Sequence, residues 1–296
     1  MDQKTNQPPR KSGAPFLSAG AVGGILGISM VWFFEAFPDL IPYWPLAVVL
    51  VLLMLPALIF RMNGVVDANP PTEAFDPSSP DLPPAVTTAL ETHLPALESL
   101  GFTVSGHVVR SRFDAYHSRV FMTVLANPKL KQIAQITSII LGPSIPKRMP
   151  TLISFVTEFS DDTRLITSNN RFRNVGRIGA RDGSMAFPDV HDALRLHQIH
   201  EATLRLYCGD SIPSENSVGD PVAYIQSMFH RDFAVAREAG YYYLDKKTNR
   251  YRATVKGSLL TGPKLVWPIK PLLAALQKRR SRQMLRDLNL DLPAEG

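Results

Sequence analysis

Ser118-Arg119-Val120-Phe121-Met122-Thr123-Val124-Leu125 is a run rich in β-branched and aromatic residues, and it has neighbours of the same kind. Phe102–Val109 precedes it; Gln132–Leu141, Thr151–Phe159 and Arg164–Thr167 follow. Such runs, bounded by turn residues, read as strands. Ser160-Asp161-Asp162-Thr163 is a turn sequence and makes the last two a hairpin. Strands that succeed one another without intervening helices predict an antiparallel meander.

Helical patterns lie on either side. Ala85–Leu100 places Val86, Leu90, Leu94 and Leu97 at helical spacing, meets Gly101 at its end, and carries Pro95 where a kink is expected. A second helix is expected over about Asp189–Tyr207. A third is expected over about Pro221–Ala239, with Asp220 as its N-cap, Pro221 in its first turn and Gly240 beyond its end. Tyr241–Leu244 and Tyr251–Val255 bracket a further hairpin, and an amphipathic segment from about Pro271 to Leu288 closes the chain. The expected fold is α+β, an antiparallel sheet of about five to seven strands with packed helices.

Ahead of this lies a stretch from Gly13 to Phe60 with no Lys, Arg or His. At about 1.5 Å rise per residue, about 20 apolar residues cross the roughly 30 Å hydrocarbon layer, and 14–34 and 41–60 both reach that length. They predict a transmembrane helical hairpin. Gly20 and Gly24 have the spacing that lets two helices approach closely. Trp32, Tyr43 and Trp44 fall where interface-anchoring aromatics belong. Lys4, Arg10, Lys11 and Arg61 flank the hairpin, while its turn carries Glu35 and Asp39, so the positive-inside rule puts both termini in the cytoplasm. The expected location is the inner (plasma) membrane. A cleaved signal peptide would have a shorter apolar core and no second span close behind. The single cysteine, Cys208, has no internal partner, which suits a reducing compartment.

The domain plan that follows is a tail over 1–13, the hairpin over 14–60, an acidic Pro-rich linker over 62–81, an α+β domain over 82–262 and a basic segment over 263–296. The linker reading rests on Pro70, Pro71, Pro77 and Pro80 among polar residues, a composition that buries little. Charge is uneven within the formal +6 of the 296 residues. Met62–Val109 contains no Lys or Arg, and Lys246–Arg286 contains no Asp or Glu. A basic end of this kind points to an acidic partner or surface.

The two-span anchor, the α+β pattern, Tyr251-Arg252-Ala253-Thr254-Val255-Lys256-Gly257, Val266-Trp267-Pro268 and the basic tail together resemble a group of bacterial membrane-anchored proteins. The resemblance implies a cytoplasmic domain on a two-helix anchor and brings no activity or catalytic residues with it.

Three sets of residues invite a functional reading. His191, His197 and His200 suggest metal, but the order His197-Gln198-Ile199-His200-Glu201 is neither a zincin motif nor its inverse. On a helix His197 and His200 lie about 60° apart and His191 projects elsewhere. That leaves either a two-histidine metal site completed by a distant carboxylate or packed, hydrogen-bonded histidines. Arg171, Arg173, Arg177 and Arg181 lie in a glycine-containing loop. It can be plain solvated loop, an anion or phospholipid headgroup contact, or a protein contact, but it lacks the nucleotide P-loop pattern. In the C-terminal segment Leu273, Leu276, Met284 and Leu288 gather on one side. Lys278, Arg279, Arg282 and Arg286 gather on the other, with Trp267 and Lys270 ahead of them.

A basic amphipathic helix with an aromatic lead suits an anionic membrane surface. The competing readings are a helix packed on the domain or, less well supported, a nucleic-acid contact, since basic charge alone is no recognition motif. No Gly-x-Ser-x-Gly elbow is present, and nothing calls for a cofactor. The function expected is a non-enzymatic module contacting lipid or protein at the membrane. The alternatives are a membrane-tethered hydrolase for a phosphorylated or lipid substrate, and a structural subunit of a membrane complex.

Overall fold

A computed structural model describes Trp32 and residues 44–111, 118–141, 150–170, 182–209, 211–214, 218–265 and 269–290. The chain divides into two compact units, Met1–Val51 and Leu52–Gly296. Helix α1, Trp44–Asn63, begins in the first and ends in the second, and the elements after it all belong to the second.

The strand-rich region forms a seven-stranded sheet in the order β2-β3-β4-β5-β6-β7-β8. Its members are β2 (Thr72–Ala74), β3 (Thr103–Ser111), β4 (Arg119–Asn127), β5 (Gln132–Ile140), β6 (Leu152–Glu158), β7 (Arg164–Ser168) and β8 (Asp182–Ala186). Pairing is antiparallel from β2 through β7, as the meander reading expects, and β8 adds to β7 in parallel. Both sheet faces are covered, which explains why β4 reads as a nearly continuous apolar run and not as an alternating one. Phe121 and Leu125 point to one side, Met122 and Val124 to the other, and all four are buried.

On the first face lie α2 (Pro84–Ser99), α3 (Ala193–Thr203) and α6 (Ile269–Asp287). Their Leu97, Leu196, Ile199 and Leu285 enter one core with Phe102, Leu125, Ile136, Ile153 and Phe155. Each such fully buried side chain contributes roughly 1.5–3 kcal/mol. Pro95 lies within α2. The helix stops at Gly101, whose φ of +84° suits glycine. The Gly101 amide then donates to Glu98 O at 2.8 Å and the Phe102 amide to Leu97 O at 3.2 Å. This closure swings Phe102 back onto Leu97 and launches β3. Asn289 closes α6 in the same way, with Leu290 N donating to Leu285 O at 2.8 Å.

On the second face lies α4 (Pro221–Glu238), started by Asp220, whose carboxylate accepts from Val222 N at 2.9 Å and Ala223 N at 3.2 Å. Gly106 lets it approach β3, because a Cβ there would stand 2.5 Å from Pro221 Cγ. Ile225 packs into the second core with Val108, Met122, Val124, Val156 and Ile166. Further along much the same face of α4, Phe229 and Phe233 pack against a separate three-stranded sheet, order β1-β10-β9. Its strands are β1 (Val65–Asp67), β9 (Tyr242–Asp245) and β10 (Arg250–Ala253).

The segment 62–81 thus holds two strands where its composition reads as linker. β1 pairs with β10 and β2 with β3. Both are edge strands of three residues each, where prolines in the intervening turn remove no ladder bond. After β10 the chain forms a short helix, α5 (Val255–Thr261), and a 3-10 turn over Gly262–Leu265, where sequence reads only the end of a strand. Thr254 caps α5 by accepting from Gly257 N at 2.9 Å.

Of the expected membrane hairpin, the span over 14–34 lies outside the described residues apart from Trp32, and the turn with Tyr43 lies outside them too. The span over 41–60 falls on α1, which opens at Trp44 and whose side chains are described from Met54 onward. Among the described residues no helix is long and apolar enough to cross a membrane.

Candidate functional site

Asp192 caps α3, accepting from Leu194 N at 3.3 Å and Arg195 N at 3.0 Å, and so fixes the phase at which its histidines meet the sheet. His200 is fully buried. Its Nε2 lies 2.9 Å from Thr157 Oγ1 on β6 and its Nδ1 2.9 Å from Thr167 Oγ1 on β7, while Phe155 stacks on the ring. A neutral imidazole has one donor and one acceptor nitrogen, so one threonine accepts and the other donates. Burial, with His197 as a second cause, pushes the His200 pKa down to about 3. His197 is buried beside Phe102 and Phe155, with Nε2 3.0 Å from Gln132 Oε1. Gln132 Nε2 donates in turn to Glu201. Burial lowers the His197 pKa and Glu201 partly offsets it. His191 is exposed, ahead of the helix.

Both nitrogens of His200 and one of His197 are therefore engaged within the protein. Among the described residues no group of three or more His, Cys, Asp or Glu is placed to hold a metal ion. Asp161 and Asp162 serve the β6–β7 turn, where Asp161 Oδ1 accepts from Thr163 N at 3.0 Å and from its hydroxyl at 2.6 Å.

Arg171, Arg173, Arg177, Arg181 and Trp267 lie outside the described residues. The remaining basic residues singled out in the sequence sit on α6, and the structure seats that helix differently from the expected division into faces. Ser281 and Leu285 are the buried positions, with Met284 and Leu288 partly buried beside them. Leu272 and Leu276 are 59% and 44% exposed, on the side turned away from Leu285. Lys278 reaches back to Asp189 at 3.2 Å and helps dock the helix. Lys270, Arg279, Arg282 and Arg286 are exposed. One end of α6 is thus core, and the other presents leucines among cations.

A second apolar surface belongs to α1 and α5. Pro56 and Ala57 are buried, and a Cβ on Gly262 would stand 2.6 Å from the Ala57 backbone. Leu58, Ile59 and Met62 of α1 and Leu259 and Leu260 of α5 are exposed.

A cleft that the sequence reading did not anticipate lies elsewhere. It measures about 370 Å³ and is bounded by Asn69, Pro70 and Pro71 between β1 and β2, Thr72 at the start of β2, Arg110 of β3, and Gln226, Phe229 and His230 of α4. At its floor the Arg110 guanidinium lies 4.4 Å over the Phe229 ring, donates to Ile225 O at 2.9 Å, and approaches Thr72 Oγ1 at 3.4 Å. Burial lowers its pKa to about 10, so it stays cationic at neutral pH, with Asp232 acting in the opposite sense. Arg164, on the same sheet face, is fully buried and paired with Asp232. One lone arginine in a strand carries no sequence signal; only the placement of α4 and the 69–72 turn makes it a floor.

No known protein family, curated protein or solved structure matches the chain.

Proposed function

We propose that this protein is a membrane-anchored cytoplasmic module at the inner membrane that works by contact, with an anionic lipid surface and with protein partners, and not by catalysis. The observation that carries this reading is the division of α6. Leu285 fixes the helix in the core, so Leu272 and Leu276 are held outward together with Arg279 and Arg282. Exposed leucines among cations suit a surface that is apolar inside and negative outside, where each basic residue adds about 1 kcal/mol.

Two further features support the same reading. The stretch 13–60, which has no Lys, Arg or His, has the length and flanking charge of an anchor. The Gly262 turn meets α1 at Ala57, one turn before Arg61 and so about 6 Å along the helix toward the apolar side. An α5 at that level would place Leu259 and Leu260 at headgroup depth, the 5–10 Å layer that interfacial helices occupy.

The test uses the full chain in vesicles, with Cys208→Ser and an environment-sensitive fluorophore on Leu276→Cys. The label is expected to shift to the blue, and to be quenched by brominated lipid, in vesicles containing phosphatidylglycerol. Adding Arg279→Glu and Arg282→Glu removes about 2 kcal/mol of attraction or more and abolishes the shift. Aqueous emission in both anionic and neutral vesicles would defeat the proposal, and a reporter fused after Gly296 that proves external would overturn the orientation.

A further inference from the structure

The cleft floored by Arg110 lies apart from the surfaces assigned to membrane contact, and its chemistry is different. Two arginines, Arg110 and Arg164, are buried on the sheet face beneath α4. Asp232 pairs directly with Arg164 and, from further off, also favours the Arg110 cation. The acceptors Arg110 has, Ile225 O and Thr72 Oγ1, are neutral. A guanidinium offers five N–H donors in a planar fork, so further donors remain for a ligand. The hydrogen bonds of Arg110 go to neutral acceptors and Asp232 offsets only part of the burial, so a directly bonded anion would add to its stability. Arg110 is 8% exposed, and it borders a cleft of about 370 Å³ that has no acidic lining residue.

The other walls sort by chemistry. Pro70, Pro71 and Phe229 supply apolar surface next to the guanidinium. Asn69, Gln226 and His230 supply amide and imidazole groups at the rim. Polar and apolar lining of the cleft are about evenly matched, which suits a small ligand with one charged end and one apolar part. The position of the cation within it selects the sign of the ligand.

The geometry points to this cleft as a binding site for a small organic oxyanion, a carboxylate or a phosphate ester. Its charged end lies on Arg110 and its apolar part against Phe229 and the Pro70-Pro71 wall. One cation at the floor suits one oxyanion group, and the Phe229 ring 4.4 Å from the guanidinium, with Ile225 O and Thr72 Oγ1, holds the side chain in place. The site is independent of membrane contact: its lining residues come from the 69–72 turn, β3 and α4, and none from α5 or α6.

The experiment is titration calorimetry on the full chain in detergent, with benzoate and inorganic phosphate as probes and chloride at matched ionic strength as the control. Saturable binding of at least one oxyanion is expected, and the stronger of the two identifies the carboxylate or the phosphate class. Arg110→Met should weaken that binding at least tenfold, with Arg110→Lys between, because a point charge cannot replace the fork. Should Arg110→Met not fold, the rim variants Gln226→Ala and His230→Ala, both at exposed positions, are expected to weaken binding several-fold with an unchanged circular dichroism spectrum. Three results overturn the proposal. They are chloride binding as well as the oxyanions, an absence of saturable binding by either probe, and folded Arg110 or rim variants that bind as tightly as the natural chain.

Discussion

His200 is the residue whose chemistry is most constrained by its surroundings. It titrates near the ordinary histidine value of about 6.5 in an unfolded chain and at about 3 when folded. Below about pH 6.5 the unfolded state therefore binds a proton that the folded state refuses, and stability falls with pH. The contribution is complete above about 6.5 and is lost, at up to about 1.4 kcal/mol per pH unit, as pH drops toward the folded value. His197, lowered for the same reason of burial, adds to the slope in the same direction. His200→Gln cannot titrate. It should lose about 1–3 kcal/mol at pH 7.5, because a threonine hydroxyl loses its partner, and should show a shallower decline between pH 6.5 and 4. Urea unfolding of both proteins across that range decides it; parallel declines would mean that other groups carry the acid sensitivity.

At the scale of elements, α6 tests whether a helix can be split between core and surface. Leu285 lies in the main core and Leu272 lies outside it. Leu285→Ala should destabilise by about 2–5 kcal/mol, and Leu272→Ala should stay within about 0.5 kcal/mol. Equal urea midpoints for the two variants would show that the helix is not seated as described. The sequence foretold where α2, α4 and α6 run because their termini are chemical: Asp220 and Pro221 start α4, and Gly101 stops α2. It foretold β4 to β7 because their β-branched runs are long. It did not foretell the seating of α6, since Leu273 and Leu276 look as apolar as Leu285, and only the neighbouring sheet decides which enters the core. β8, Asp-Gly-Ser-Met-Ala, has no strand signature, and its parallel pairing is set by β7. The histidines were legible as helix residues pointing to one side; their Thr157 and Thr167 partners, from separate strands, were not. The Arg110 cleft was the least legible, being built from a turn, a strand and a helix distant in sequence.

At the scale of the whole chain, the question is where the folded domain begins. A boundary at Leu82 follows from composition, but β1 covers one side of β10, and β2 covers the edge of β3. Ala68 packs with Phe229 and Tyr251 in the third core, and Phe75 packs edge-on to Phe121 at 5.3 Å. Removing residues 1–81 would therefore bare two strand edges and open a small core, and such edges favour association with other chains. A protein starting at Gly64 is expected to unfold cooperatively in urea. One starting at Leu82 should unfold over a broader range at a lower midpoint and should bind a hydrophobic dye before it unfolds. Identical midpoints and slopes for the two would place the strands of 62–81 outside the cooperative unit. If the expected difference is found, α1 passes into the domain without a free spacer. The Arg110 cleft, whose wall is the 69–72 turn, would then stand at a fixed, short distance along the chain from the end of α1.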